Sequence, residues 1–135
     1  MFQTVFLIDD DHVIQYLNRH IMQSVFFCKN IIEAYNGLDA LEYYKKLEHS
    51  KNISIDMPEI IFLDLNMPLM DGWEFYEIFK KKYPEYLEKT KIIFLTSSIN
   101  PEEKKRALKN KNIVAFISKP LTEKILIDVI NMLNI

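Results

Sequence analysis

Five short apolar runs, each followed by an amphipathic stretch, limit this chain's possible folds more than any other feature of its sequence. They fall at residues 4–8, 31–35, 59–63, 91–95 and 113–117. The first, third, fourth and fifth are nearly continuous in β-branched and aromatic residues, without the polar alternation of a half-exposed strand. Such runs suit strands buried on both faces, as in a parallel sheet. Parallel neighbours need a crossover, and the intervening stretches read as helices. Val13, Leu17, Ile21 and Val25 recur every four residues, a helical pattern. Leu38, Leu41, Tyr44 and Leu47 continue as a second helix after the Asn36-Gly37 stop. Asp71 and Glu74 have capping-box spacing, opening a helix through about Tyr83. Asn100-Pro101 places an N-cap before a proline at the first helical position. Thr122 opens the last helix, with Ile125, Leu126, Val129, Ile130 and Leu133 as its buried stripe. Only residues 48–57 carry no clear pattern. The prediction is a doubly wound (βα)₅ protein with right-handed crossovers.

The length, 135 residues, suits one domain, and the chain has neither repeat nor linker. A net charge of -2 gives no global attraction to nucleic acid or an anionic membrane. Lys80-Lys-Lys82 and Lys104-Lys-Arg106 fall on helices and read as solvated faces. His12, His20 and His49 lack metal-ligand spacing. The single cysteine, Cys28, excludes an internal disulfide. No signal peptide is evident, and no apolar run approaches the ~20 residues of a membrane span. The expectation is a soluble, cytoplasmic protein that binds neither nucleic acid nor membrane.

In open α/β sheets the ligand crevice lies outside the carboxyl ends of the strands. Strand one is followed by Asp9, Asp10 and Asp11, strand three by Asp64. Strand four ends at Thr96, and strand five at Ser118-Lys119-Pro120. In a strand order of 2-1-3-4-5, Asp9, Asp10 and Asp64 converge. Three close carboxylates repel one another unless a cation intervenes. Oxygen donors without His or Cys suit Mg²⁺ rather than Zn²⁺. Lys119 adds an ammonium and Thr96 a hydroxyl, completing a set able to transfer phosphoryl groups to a carboxylate. Singly, each residue has a plainer role. An aspartate after a strand is ordinarily a cap, and Asp11 is read as one. Their collection on one edge of the sheet favours a shared site.

Leu7-Ile-Asp-Asp-Asp11, Phe62-Leu-Asp-Leu-Asn-Met-Pro-Leu-Met-Asp-Gly72, Phe94-Leu-Thr-Ser-Ser98 and Phe116-Ile-Ser-Lys-Pro120 resemble the signature blocks of response-regulator receiver domains. The resemblance runs from about Val5 to Leu133. It implies a flavodoxin-like fold, a five-stranded parallel sheet in order 2-1-3-4-5 with helices on both faces. It implies that residues 1–135 are one receiver domain with no output domain. Asp64 resembles the phosphoacceptor. Asp10 and the backbone carbonyl of Asn66 resemble ligands of Mg²⁺, with Asp9 acting mainly through water. Lys119 resembles the phosphoryl contact, and Pro120 occupies the family's cis-peptide position. Thr96 and Phe116 resemble the switch pair; Phe116 lacks the hydroxyl of a tyrosine and also reads as an ordinary core residue. Asn66 and Ser98 stand where the family modulates phosphoryl lifetime. Ser97 replaces the usual Ala or Gly.

The resemblance implies a stand-alone switch, not an enzyme with a free substrate. A sensor histidine kinase or histidine phosphotransfer protein is the expected donor, and an unknown downstream protein the reader. The chain is expected to be a monomer or weak dimer. A relay intermediate that passes the group to another histidine uses the same site. An aspartyl-phosphate phosphatase of the haloacid dehalogenase type is disfavoured, because Asn66 stands where that class has its second aspartate. A degenerate receiver used only for binding is disfavoured by the intact acidic, threonine and lysine set.

Overall fold

The computed structural model describes residues 1–98 and 100–133. The elements are β1 Phe2–Ile8, α1 His12–Ser24, β2 Cys28–Ala34, α2 Gly37–Leu47, α3 Ile53–Asp56 and β3 Ile60–Leu63, then α4 Gly72–Lys82, α5 Pro84–Glu88, β4 Lys91–Thr96, α6 Pro101–Leu108, β5 Ile113–Ser118 and α7 Glu123–Leu133. All pairings are parallel, in the order β2-β1-β3-β4-β5. This is the expected flavodoxin-like sheet.

Successive side chains of a strand point to opposite faces, so the sheet separates two cores. Phe6, Ile8, Ile61, Leu63 and Phe94 pack against α2, α4 and α5. Val5, Leu7, Ile60, Phe62, Ile93 and Leu95 pack against α1 and α7. The three central strands are buried on both faces, as their composition predicts. The fifth run departs from that expectation. β5 is an edge strand, and Val114, Ala115, Phe116 and Ile117 are only half-buried.

The first helix forms as expected, but its apolar period does not mark its buried face. Val13 and Leu17 are 66% and 47% exposed, whereas Gln15, Asn18 and Met22 face the core. The reason is visible at Gln15. Its Nε2 donates to the carbonyls of Leu7 at 3.0 Å, Asp9 at 3.2 Å and Ala34 at 2.9 Å. Those carbonyls lie at the carboxyl ends of β1 and β2, where Ala34 also accepts the Asp9 N–H. Hydrogen bonding to the sheet therefore overrides the helix's apolar period. Residues 48–57 contain the short α3, fastened by Tyr43 Oη to the Asp56 carbonyl at 2.6 Å. The fourth helix ends at Lys82, and Pro84 opens the separate turn α5. The expected caps at Asp11, Asp71, Asn100 and Thr122 all form.

Candidate functional site

The parallel ladder continues one residue beyond three of the strands, and this places the site. Asp9 N–H donates to the Ala34 carbonyl at 3.1 Å, Asp64 N–H to Ile8 at 3.0 Å, and Lys119 N–H to Thr96 at 2.9 Å. With Ile8 in register with Leu63, the carboxylates of Asp9 and Asp64 emerge side by side from adjacent strands. The Lys119–Pro120 peptide bond is cis. Carboxylate oxygens of Asp9, Asp10 and Asp64 all lie within 4.8 Å of one another. Asp9 and Asp64 are buried, and Asp10 is exposed at the mouth. Lys119 Nζ bridges the two buried acids, 2.6 Å from Asp9 Oδ2 and 3.2 Å from Asp64 Oδ2.

The charges do not cancel. Burial, and then the neighbouring Asp9, push the Asp64 carboxyl above the ordinary aspartate range, although Lys119 and the Asn66 backbone pull the other way. Burial disfavours the Lys119 charge, but Asp9 and Asp64 outweigh it and raise its pKa. Both groups are thus held as a pair, with excess negative charge facing Asp10.

Thr96, at the end of β4, is fully buried, and its Oγ1 accepts the Ser98 N–H at 3.2 Å. Phe116 is half-buried and packs toward Phe94, ring centres 6.1 Å apart. Asn66 is exposed on the loop after Asp64. Asp11 is a cap, its Oδ1 accepting from Val13 and Ile14 N–H at 2.9 and 3.2 Å, and its own N–H donates to Asp9 Oδ1 at 3.0 Å. His12 stacks on Tyr35, ring centres 4.2 Å apart.

Two supporting residues escape a reading by pattern. Gln15 ties the ends of β1 and β2 together, but a glutamine in a helix gives no signal of that role. Gly72 lies against the phosphoacceptor candidate's backbone, and a Cβ there would sit 2.3 Å from the Asp64 carbonyl oxygen. Glycine beside an acidic cap was legible as a helix start, but not as a close approach.

Fold and site together define a class: a doubly wound parallel sheet whose carboxyl edge gathers three acids and an ammonium, suited to holding a hard cation beside an anion. The chain belongs to the response regulator receiver domain family, whose model matches residues 5–131. It is similar to the chemotaxis protein CheY of Halobacterium salinarum, 28% identical over 131 residues, covering 97% of this chain and 96% of that protein. A two-component response regulator from Cytophaga hutchinsonii superposes with a TM-score of 0.86 at 29% identity, covering 96% of this chain and 94% of the other. The Vibrio cholerae chemotaxis regulator CheY4 shares the fold, with a TM-score of 0.73, 23% identity and 98% coverage of both chains.

Receiver domains are in general non-enzymatic signalling modules that bind Mg²⁺ at an acidic pocket and interact with histidine kinases or phosphotransfer proteins. The residues present here fit that ion: all the side-chain donors are carboxylate oxygens, and one ammonium leaves their charge uncompensated. Among the described residues, no helix is long and apolar enough to cross a membrane.

Proposed function

We propose that Asp64 accepts a phosphoryl group from the phosphohistidine of a sensor histidine kinase or histidine phosphotransfer protein. The phosphorylated chain then signals through altered contact with a downstream protein. The observation that carries this reading is the bridge of Lys119 Nζ between Asp9 and Asp64, with Asp10 beside them.

In the transfer, an Asp64 carboxylate oxygen attacks phosphorus as the phosphorus–nitrogen bond breaks, and the imidazole leaves with its electron pair. Asp9, Asp10, Asp64 and the Asn66 carbonyl would hold Mg²⁺, which supplies positive charge against the phosphoryl oxygens. Lys119 has two carboxylate partners at rest, and a phosphoryl oxygen would replace one of them. The Thr96 oxygen accepts the Ser98 N–H, leaving its hydroxyl proton to be donated to the phosphoryl group. Phe116, a β5 residue packed toward Phe94, would follow Thr96 and change the surface of β5. The donor would lie over the start of α1, where Val13, Tyr16 and Leu17 are 66%, 58% and 47% exposed beside the acidic pocket. The activity is confined to the chain's own phosphorylation and dephosphorylation.

The test is incubation with acetyl phosphate and Mg²⁺, followed by hydroxylamine treatment. Hydroxylamine-labile phosphate should appear in the wild type and disappear in Asp64→Asn. Undiminished labelling of that variant ends the proposal.

A further inference from the structure

The hydrogen bonds around Thr96 lead out of the pocket to one acidic residue on α6. Ser98 N–H donates to Thr96 Oγ1 at 3.2 Å, so the two residues after β4 fold back on the threonine. The Ser98 hydroxyl donates to Glu103 Oε2 and accepts the Asn100 N–H at 3.4 Å. Glu103 is itself fixed by the capped start of its helix, with its N–H donating to the Asn100 carbonyl at 3.1 Å and Glu102 N–H to Asn100 Oδ1 at 3.0 Å. The adjacent Glu102 behaves differently: it is exposed and pairs with Lys105 at 3.6 Å. Glu103 is half-buried and turns inward to Ser98. Beyond Glu103, α6 meets the body of the protein through Ala107, its single buried residue, and through Arg106, whose guanidinium lies 3.9 Å from the Trp73 ring centre.

We propose that Glu103 is a positioning residue for the phosphoryl site, acting through Ser98 on Thr96. This inference rests on Asp64 being the phosphoacceptor. A hydroxyl bonded to a carboxylate is a stronger tether than one bonded to a neutral group. Glu103 therefore keeps the Ser98 hydroxyl pointed at α6 and away from the pocket. It also holds the Ser98 N–H on Thr96, fixing the rotamer from which the threonine donates its proton. Releasing the tether loosens the phosphoryl group's hydroxyl donor and frees a second hydroxyl beside it. Both changes open the acyl phosphate to water, so its lifetime falls.

The experiment labels the full chain with acetyl phosphate and Mg²⁺, removes the donor, and follows the decay of hydroxylamine-labile phosphate. Glu103→Ala should shorten the half-life about three- to tenfold, the effect of losing one hydrogen bond. Glu103→Gln keeps an acceptor and should stay close to wild type, as should the neighbouring control Glu102→Ala. Ser98→Ala loosens Thr96 without freeing a hydroxyl and should shorten the half-life no more than Glu103→Ala does, and the double variant should be no faster than Glu103→Ala, because residues acting as a unit are not additive. Wild-type decay in Glu103→Ala, or single effects that multiply in the double variant, overturns the tether alone. Failure of the wild type to label overturns the phosphoacceptor reading and the tether with it.

Discussion

At the scale of single residues, the buried carboxylate of Asp64 makes the most specific prediction. Its pKa is raised in the folded chain, first by burial and then by Asp9. A raised native pKa means that the folded state binds more protons than the unfolded state as pH falls through that range. The ionised group therefore costs stability above its native pKa. The cost is relieved as the pH falls through that pKa toward the ordinary aspartate value. Asp64→Asn removes the charge and keeps an oxygen for Lys119, which retains Asp9 at 2.6 Å. In the presence of EDTA, Asp64→Asn should melt above the wild type near pH 8, by about 4 °C for each kcal/mol relieved. That advantage should shrink as the pH is lowered toward about 4, where an ordinary aspartate protonates. Calorimetry at several pH values decides it, and an advantage that grows on acidification would contradict the assigned charge state.

At the scale of elements, the junction of β3 and α4 joins fold to site. The Asp71–Glu74 capping box fixes the start of α4, and Gly72 packs onto the Asp64 carbonyl. A methyl group at Gly72 has no room, so Gly72→Ala must push the helix away or bend the end of β3. A cost of about 1–3 kcal/mol is expected from overpacking. Acetyl phosphate labelling of the folded variant should also slow, because the strand end that aims Asp64 is what moves. Unchanged urea denaturation and labelling would show the contact to be soft. The same scale explains what could be read from sequence alone. The central strands and the edge carrying Asp9, Asp64, Thr96 and Lys119 were legible because a sheet covered on both faces needs unbroken apolar runs, and those runs end at the crevice. The buried face of α1 was not, because Gln15 is held by three carbonyl contacts that hydrophobic period cannot express. The partial exposure of β5 was hidden in its composition, since an edge strand between two covered faces keeps apolar residues, although the strand order implied by the resemblance places β5 at the edge. The fold-back of Ser98 onto Thr96 and its bond to Glu103 depend on loop geometry that residue types do not specify.

At the scale of the whole molecule, the net charge of -2 is small and spread, whereas the pocket sets three carboxylates against one ammonium. The electrostatic imbalance is thus local, and a cation that fills the pocket acts on the folded state alone. Such a ligand stabilises by RT ln(1 + [L]/Kd), about 2.7 kcal/mol at one hundred times Kd. Mg²⁺ should therefore raise the melting temperature in a concentration-dependent manner, and the rise should be lost in the Asp9→Asn, Asp10→Asn double variant. The single tryptophan offers a second readout in the same titration. Trp73 follows Gly72, packs on Phe94 with ring centres 4.9 Å apart, and lies under the Arg106 guanidinium at 3.9 Å. It thereby adjoins Gly72, which packs on the Asp64 carbonyl, and touches the helix that carries Glu103. Its emission should change over the same Mg²⁺ range as the melting temperature. A stabilisation without any change at Trp73 would mean that the cation neutralises the pocket but leaves the α4–α6 side of the molecule undisturbed. A midpoint shared by both signals would tie that side to the acidic cluster in the unphosphorylated chain.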